Sequence, residues 1–110
     1  MTYEVEITAQ TRLDMKMIYR YIADTLMEPV IAEKLYTRIE TAIYSLDQMP
    51  ERFRRYEKEP WQSRNLRVMP VDNYIVFYTV NNNCRVTTVI RVMYGARNIE
   101  KELGLLKSQA

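Results

Sequence analysis

Between residues 64 and 93, three β-patterned runs follow one another with almost nothing between them. They cover about 64–71, 73–81 and 84–93, separated only by Asp72-Asn73 and Asn81-Asn82-Asn83. Connections this short cannot return a chain to the start of a parallel strand, so the three runs must form an antiparallel meander. Asn tolerates left-handed backbone, which suits the second turn. The middle run, Tyr74-Ile75-Val76-Phe77-Tyr78, is apolar on both sides, as an interior strand is.

Upstream the period changes. Residues 3–8 alternate, with Tyr3, Val5 and Ile7 on one side and Glu4 and Glu6 on the other, which reads as a half-buried strand. Thr8 or Thr11 can cap the helix that follows, with Asp14 in a capping-box-like place three residues after Thr11. Leu13, Met17 and Tyr21 recur at helical spacing, as does the parallel row Ile18, Ile22 and Leu26. Pro29 fits the first turn of a second helix, whose stripe is Ile31, Leu35, Ile39, Ala42, Ile43 and Leu46. Met49-Pro50 ends it. The two helices form an antiparallel hairpin because the break between them is so short. Residues 51–63 show no period and are densely charged, so they read as a loop anchored by Phe53 or Trp61. Gly95 closes the last strand, and Ile99, Leu103 and Leu106 suggest a short terminal helix.

The expected architecture is therefore α+β, in the order β-α-α-β-β-β-(α). A twisted antiparallel sheet carries the helical hairpin on one face and leaves the other open. A chain of 110 residues makes one domain spanning 1–110, large enough to bury a core without metal or disulfide. No apolar run approaches the roughly 20 residues of a membrane span, and no signal segment is visible. The chain reads as cytoplasmic, with no membrane association.

Histidine is absent and Cys84 is the single cysteine. That excludes Ser-His-Asp and Cys-His nucleophilic systems, multi-thiolate zinc and an internal disulfide framework. No metal and no cofactor is expected. The charge is unevenly placed: residues 1–50 hold eight acids and five bases, residues 51–110 six acids and eleven bases. Eight of the eleven arginines lie between Arg52 and Arg97, which suggests a face for a polyanion or an acidic partner.

Alternation sorts the candidates on the open face. Leu66 and Val68 oppose Arg67, while Val86, Thr88, Ile90 and Val92 oppose Arg85, Thr87, Val89 and Arg91. With the aliphatic sides toward the helices, Arg67 and Arg91 project together from the open side over an apolar floor. Cations beside aromatic rings suit single-stranded RNA, and the same floor suits the apolar side chains of an acidic peptide. Tyr94 stands at the strand exit beside Gly95 and Arg97, where a phenol is presented to a ligand. Tyr19, Tyr21, Tyr36 and Tyr44 read as core-edge residues on the helices. Glu57 and Glu59 read as a solvated ion-pair cluster.

The chain resembles the RelE/ParE superfamily of bacterial type II toxins, plasmid-stabilisation-like proteins of toxin–antitoxin modules. The resemblance runs through "ITAQTRLDMKMIYRYIADTL" and "PVIAEKLYTRIETAIYSLDQMP" and is strongest in "RVMPVDNYIVFYTV" and "VIRVMYGARN". It implies a growth-inhibiting protein neutralised by a cognate antitoxin. It also implies one of two targets: DNA gyrase for ParE-like members, or messenger RNA on the ribosome for RelE-like endonucleases. Under the ribonuclease alternative Arg67, Arg91, Tyr94 and Arg97 are the candidate catalytic set; of these the resemblance carries over Arg97, which matches an arginine used at the phosphate, while Arg67 falls near the stretch where RelE-like enzymes hold lysines. Leu66 and Val68 stand where RelE-like enzymes hold lysines, Ile75 stands where they carry an arginine, and residues 98–110 contain no tyrosine. The chain is thus more similar to ParE-type members. The antitoxin is expected to cover the open face, pairing acids with Arg67, Arg91 or Arg97 and placing apolar side chains on Ile75 and Phe77.

Overall fold

The computed structural model describes residues 2–95. Strand β1 (Glu4–Ile7) leads into helix α1 (Ala9–Arg20), which a π-helical turn, Tyr21–Thr25, continues. Helix α2 (Pro29–Tyr44) is followed by two 3-10 turns, and β2 (Leu66–Val71), β3 (Tyr74–Asn81) and β4 (Val86–Tyr94) complete the fold. The terminal helix expected near 99–106 and Arg97 lie outside the described residues. The fold is α+β, as the sequence pattern predicts, with strands in the order β1-β4-β3-β2. The last three strands are antiparallel, but β1 runs parallel to β4, so the sheet is mixed rather than wholly antiparallel. The reason is topological: the helical hairpin is a long crossover, the one kind of connection that lets two strands point the same way.

Local chemistry sets the boundaries. Thr8 is the cap of α1, its Oγ1 accepting the Thr11 N–H at 3.1 Å. The helix starts at Ala9, and Asp14 falls in its second turn instead of in a capping box. Pro29 occupies the first turn of α2, where a missing N–H costs nothing. Past the other end the Arg52 guanidinium donates to the carbonyls of Ser45 and Met49 at 3.4 and 3.2 Å, tying down the chain that leaves α2.

The helices cover one face of the sheet. Met15, Ile22, Ala32, Leu35, Ile39, Ile43 and Leu46 meet Met69, Val76, Tyr78, Val89 and Val92 in one cluster. Ile31, expected in this stripe, is exposed at the start of α2. The row Leu13, Met17 and Tyr21 is exposed too, because α1 turns Thr11, Asp14 and Met15 inward and the π-helical turn does the same with Ile22. Tyr19, Tyr36 and Tyr44 also face solvent, where core-edge positions were expected.

The opposite face is not open. Leu66, Val68, Phe77 and Met93 lie under Trp61, with Tyr56, Ile75 and Ile90 packed around them. The segment carrying Trp61 runs back along β2: the Tyr56 N–H donates to the Leu66 carbonyl at 2.8 Å, and the Val68 N–H to the Arg54 carbonyl at 3.1 Å. Phe53 and Trp61 both anchor this segment, but in different clusters, Phe53 on the helical side and Trp61 on the far side.

Candidate functional site

The arginines read as a convergent set on an open face are separated and engaged. Arg67 pairs in register with Tyr78, whose side chain belongs to the helix-side core; Leu66 and Val68 lie on the other face with Phe77. The expected orientation of β2 is thus inverted. The aliphatic face of that strand serves Trp61, so Arg67 turns toward the chain leaving α2. Its Nη1 donates to the carbonyls of Phe53 at 2.7 Å and Glu51 at 3.1 Å, and its Nη2 lies 3.3 Å from a Glu51 carboxylate oxygen. Its side chain is 11% exposed. Beside it the Tyr78 hydroxyl donates to the Pro50 carbonyl at 2.6 Å. Burial pushes this phenol up to about 12, with Arg67 and Arg52 opposing the shift.

Arg91 departs from expectation for a different reason. Strand β4 carries a bulge: Phe77 pairs with Arg91 and Tyr78 with Val89, which leaves Ile90 as an extra residue. The extra residue changes the phase of alternation, so Val89 and Val92 share the helical face, and Val86, Thr88, Ile90 and Val92 do not form one side. Strand β1 ends at Ile7, opposite Val89, so β4 continues past it with an unpaired edge. Asp14 fills that place. Its Oδ2 accepts the Val92 N–H at 3.0 Å and the Arg91 Nε–H at 2.8 Å, while Oδ1 accepts from Arg91 Nη2 at 3.0 Å. Both side chains are more than nine-tenths buried. This two-point pairing matches the planar fork of arginine to the two oxygens of a carboxylate. The only trace of it in the sequence is an acid on the inward face of α1, among Thr11, Met15 and Ile18.

Phe77 is fully buried, and Ile75 is half-buried at the margin of the Trp61 cluster. Tyr94 keeps the exposure expected of it, 45%, with its ring 5.6 Å from that of Tyr74 in an edge-to-face contact. Gly95 follows directly, its N–H donating to the Asn73 carbonyl at 2.9 Å. A Cβ there would sit 3.3 Å from that carbonyl oxygen, so the strand exit uses the close approach glycine allows. Cys84 lies in the β3–β4 turn and is exposed; the strand begins two residues later than expected. That turn uses Arg85 at φ 55°, with the Asn81 side chain accepting the N–H groups of Asn83 and Cys84. Glu59 is likewise not merely solvated, since its carboxylate accepts the Ser63 hydroxyl at 2.7 Å. Among the described residues no cluster of three His, Cys, Asp or Glu could hold a metal ion, and no helix is long and apolar enough to cross a membrane.

The sequence matches a family model, and the fold matches solved structures. Residues 5–99 match the model of the ParE toxin of the type II toxin–antitoxin system parDE. The fold is similar to a chain of the chromosomal ParDE toxin–antitoxin system from P. aeruginosa, with TM-score 0.69 and 17% identity over 84% of this chain and 96% of that one. It is also similar to a chain of the archaeal RelE–RelB complex from Pyrococcus horikoshii, with TM-score 0.62 and 20% identity over 88% and 99%. A chain of the RelBE2 toxin–antitoxin complex from Mycobacterium tuberculosis gives TM-score 0.60 and 18% identity over 86% and 99%. No curated protein matches the sequence. Because the family model spans most of the chain, from β1 through the strand exit, this protein belongs to the ParE toxin family of type II toxin–antitoxin systems.

Proposed function

We propose that this toxin acts by binding DNA gyrase rather than by cleaving messenger RNA. The observation that carries the reading is the commitment of the two best-placed arginines. Cutting an RNA strand requires charge stabilisation at the phosphate and proton transfer at the 2′ and 5′ oxygens. Arg91 is locked onto Asp14 and Arg67 onto the Glu51–Phe53 backbone. Withdrawing Arg91 toward a phosphate would leave a buried carboxylate without its donor, at a cost of several kcal/mol, and withdrawing Arg67 would give up its bonds to the Glu51 and Phe53 carbonyls. Arginine is in any case a poor base. The ParE family supports the same direction, and a cognate antitoxin is the partner that holds the toxin inactive.

The experiment is a supercoiling assay with purified protein and purified gyrase, run beside a ribosome-bound messenger RNA. Supercoiling is expected to fail while the transcript stays whole. Intact supercoiling with a cut transcript would reject the reading in favour of an endonuclease centred on Tyr94 and Arg97. In cells, induction should raise the DNA-damage response before translation falls.

A further inference from the structure

We infer that the turn joining α1 to α2, residues 24–31, is the surface by which the toxin seats in gyrase, in an apolar cleft edged with cations. The inference rests on the gyrase reading above and adds the contact surface and the chemistry of its receptor. All eight residues of the turn, Asp-Thr-Leu-Met-Glu-Pro-Val-Ile, are exposed. Leu26, Met27, Val30 and Ile31 are 50%, 80%, 63% and 52% exposed, so four large apolar side chains fall within six positions. Single exposed apolar residues are ordinary, whereas a run of them marks a contact surface. The backbone beneath them is tied. The Leu26 N–H donates to the Tyr21 carbonyl at 3.0 Å and the Glu28 N–H to the Ile22 carbonyl at 2.9 Å, closing a π-helical turn of a kind often found at functional sites. A turn so held presents its side chains with little ordering left to do on binding.

The turn also gives up stability at two helix ends. Met27 has φ 55°, a left-handed position that closes helices and is ordinarily glycine. Burial does not offset the strain, because the side chain stands in solvent. Glu28 is the N-cap of α2 but makes no side-chain hydrogen bond to the helix, where Ser, Thr, Asp or Asn would supply one. Local rules broken at an exposed turn point to a use outside the fold. Met49 is left-handed too, but it lies between buried Leu46 and Pro50, and its carbonyl accepts from Arg52.

Charge selects the occupant. Asp24, Glu28 and Glu33 have no ion-pair partner among the described residues, and no base lies between Asp24 and Glu33. The turn is thus acidic on a chain of net charge +2. Two copies meeting turn to turn would set acid against acid and bury far less than the roughly 800 Å² per partner of a stable association. An antitoxin segment bearing the acids expected above is repelled in the same way. An enzyme that holds DNA carries cations for its phosphates, and a cleft bordered by them complements an apolar turn flanked by acids.

The test uses purified full-length toxin and purified gyrase in the supercoiling assay, with direct binding measured beside it. Met27→Gly combined with Glu28→Ser repairs both helix ends, so the melting temperature should rise by about 4 °C or more. The same variant should need at least about 10-fold more protein for half-inhibition. A gain in stability with a loss of inhibition separates a contact role from a structural one. Val30→Gln with Ile31→Gln, in the exposed first turn of α2, should melt with the wild type and lose inhibition about 10-fold or more. Met49→Gly relieves the same strain away from the turn and should leave inhibition within about 3-fold. Equal inhibition by the wild type and both turn variants would overturn the inference while leaving the gyrase reading intact. A wild-type dimer that the variants split, or lost antitoxin affinity with inhibition unchanged, would assign the turn to those occupants and overturn it as well. Wild-type toxin that leaves supercoiling untouched would remove the gyrase reading, and this inference with it.

Discussion

The two faces of the sheet are closed by different kinds of chain. On one side two regular helices lay down Met15, Leu35, Ile39 and Ile43. On the other a segment without secondary-structure period delivers Trp61 and Tyr56 onto Leu66, Val68 and Phe77. The first cover repeats every turn and can be read from spacing. The second rests on one large ring, held by a few backbone hydrogen bonds to β2 and by Arg64, whose guanidinium lies 5.2 Å from the Trp61 ring centre. A regular cover spreads its energy over many side chains, whereas an irregular one concentrates it.

Substitutions can break or sharpen that contrast. The largest effect is expected where α1 is fastened to β4: Asp14→Ala leaves a buried guanidinium without its carboxylate and should cost about 3–5 kcal/mol, read from urea unfolding midpoints. Trp61→Ala should cost about 3 kcal/mol or more and should raise proteolysis within 54–65. A loss below about 1 kcal/mol there would mean that the irregular cover contributes little and that the far face is effectively open. Arg67→Met should cost about 1–2 kcal/mol, since the carbonyls it serves keep access to water at the margin.

Tyr78 supplies a pH test on the helical side. Its folded pKa, about 12, lies above the ordinary value of 10.0, so its contribution is intact below pH 10 and is lost as pH rises toward 12. Tyr78→Phe should remove that part of the alkaline decline, measured as unfolding midpoint against pH. Smallest is Arg38→Ala. Its pair with Asp72 at 2.6 Å is largely exposed, and removing it should change stability by less than about 1 kcal/mol.

Much of the fold is legible in the sequence because it is periodic. The alternation at residues 3–8, the stripe from Leu35 to Leu46 and the short turn at Asp72 all act between near neighbours, and the structure follows them; the second turn falls where expected but takes its left-handed residue from Arg85 instead of an Asn. The candidate site is a different matter. The reading of Arg67 assumed that the aliphatic side of β2 faces the helices, but Phe53 and Trp61 sit on opposite faces and reverse that preference. The reading of Arg91 assumed unbroken alternation, and a single extra residue at Ile90 shifts it. Neither event leaves a local mark, since Ile90 suits a bulge and a strand equally.

By itself the sequence determined the element order, the antiparallel meander, the helical hairpin and the absence of histidine chemistry. These follow from spacing and residue type, which act within a few positions of the chain. Only the tertiary structure decided that β1 joins β4 in parallel, that Trp61 closes the second face, and that Asp14 takes Arg91 out of solution. Each of those joins residues far apart in the chain, and which distant partner wins depends on every competing surface being buried at once.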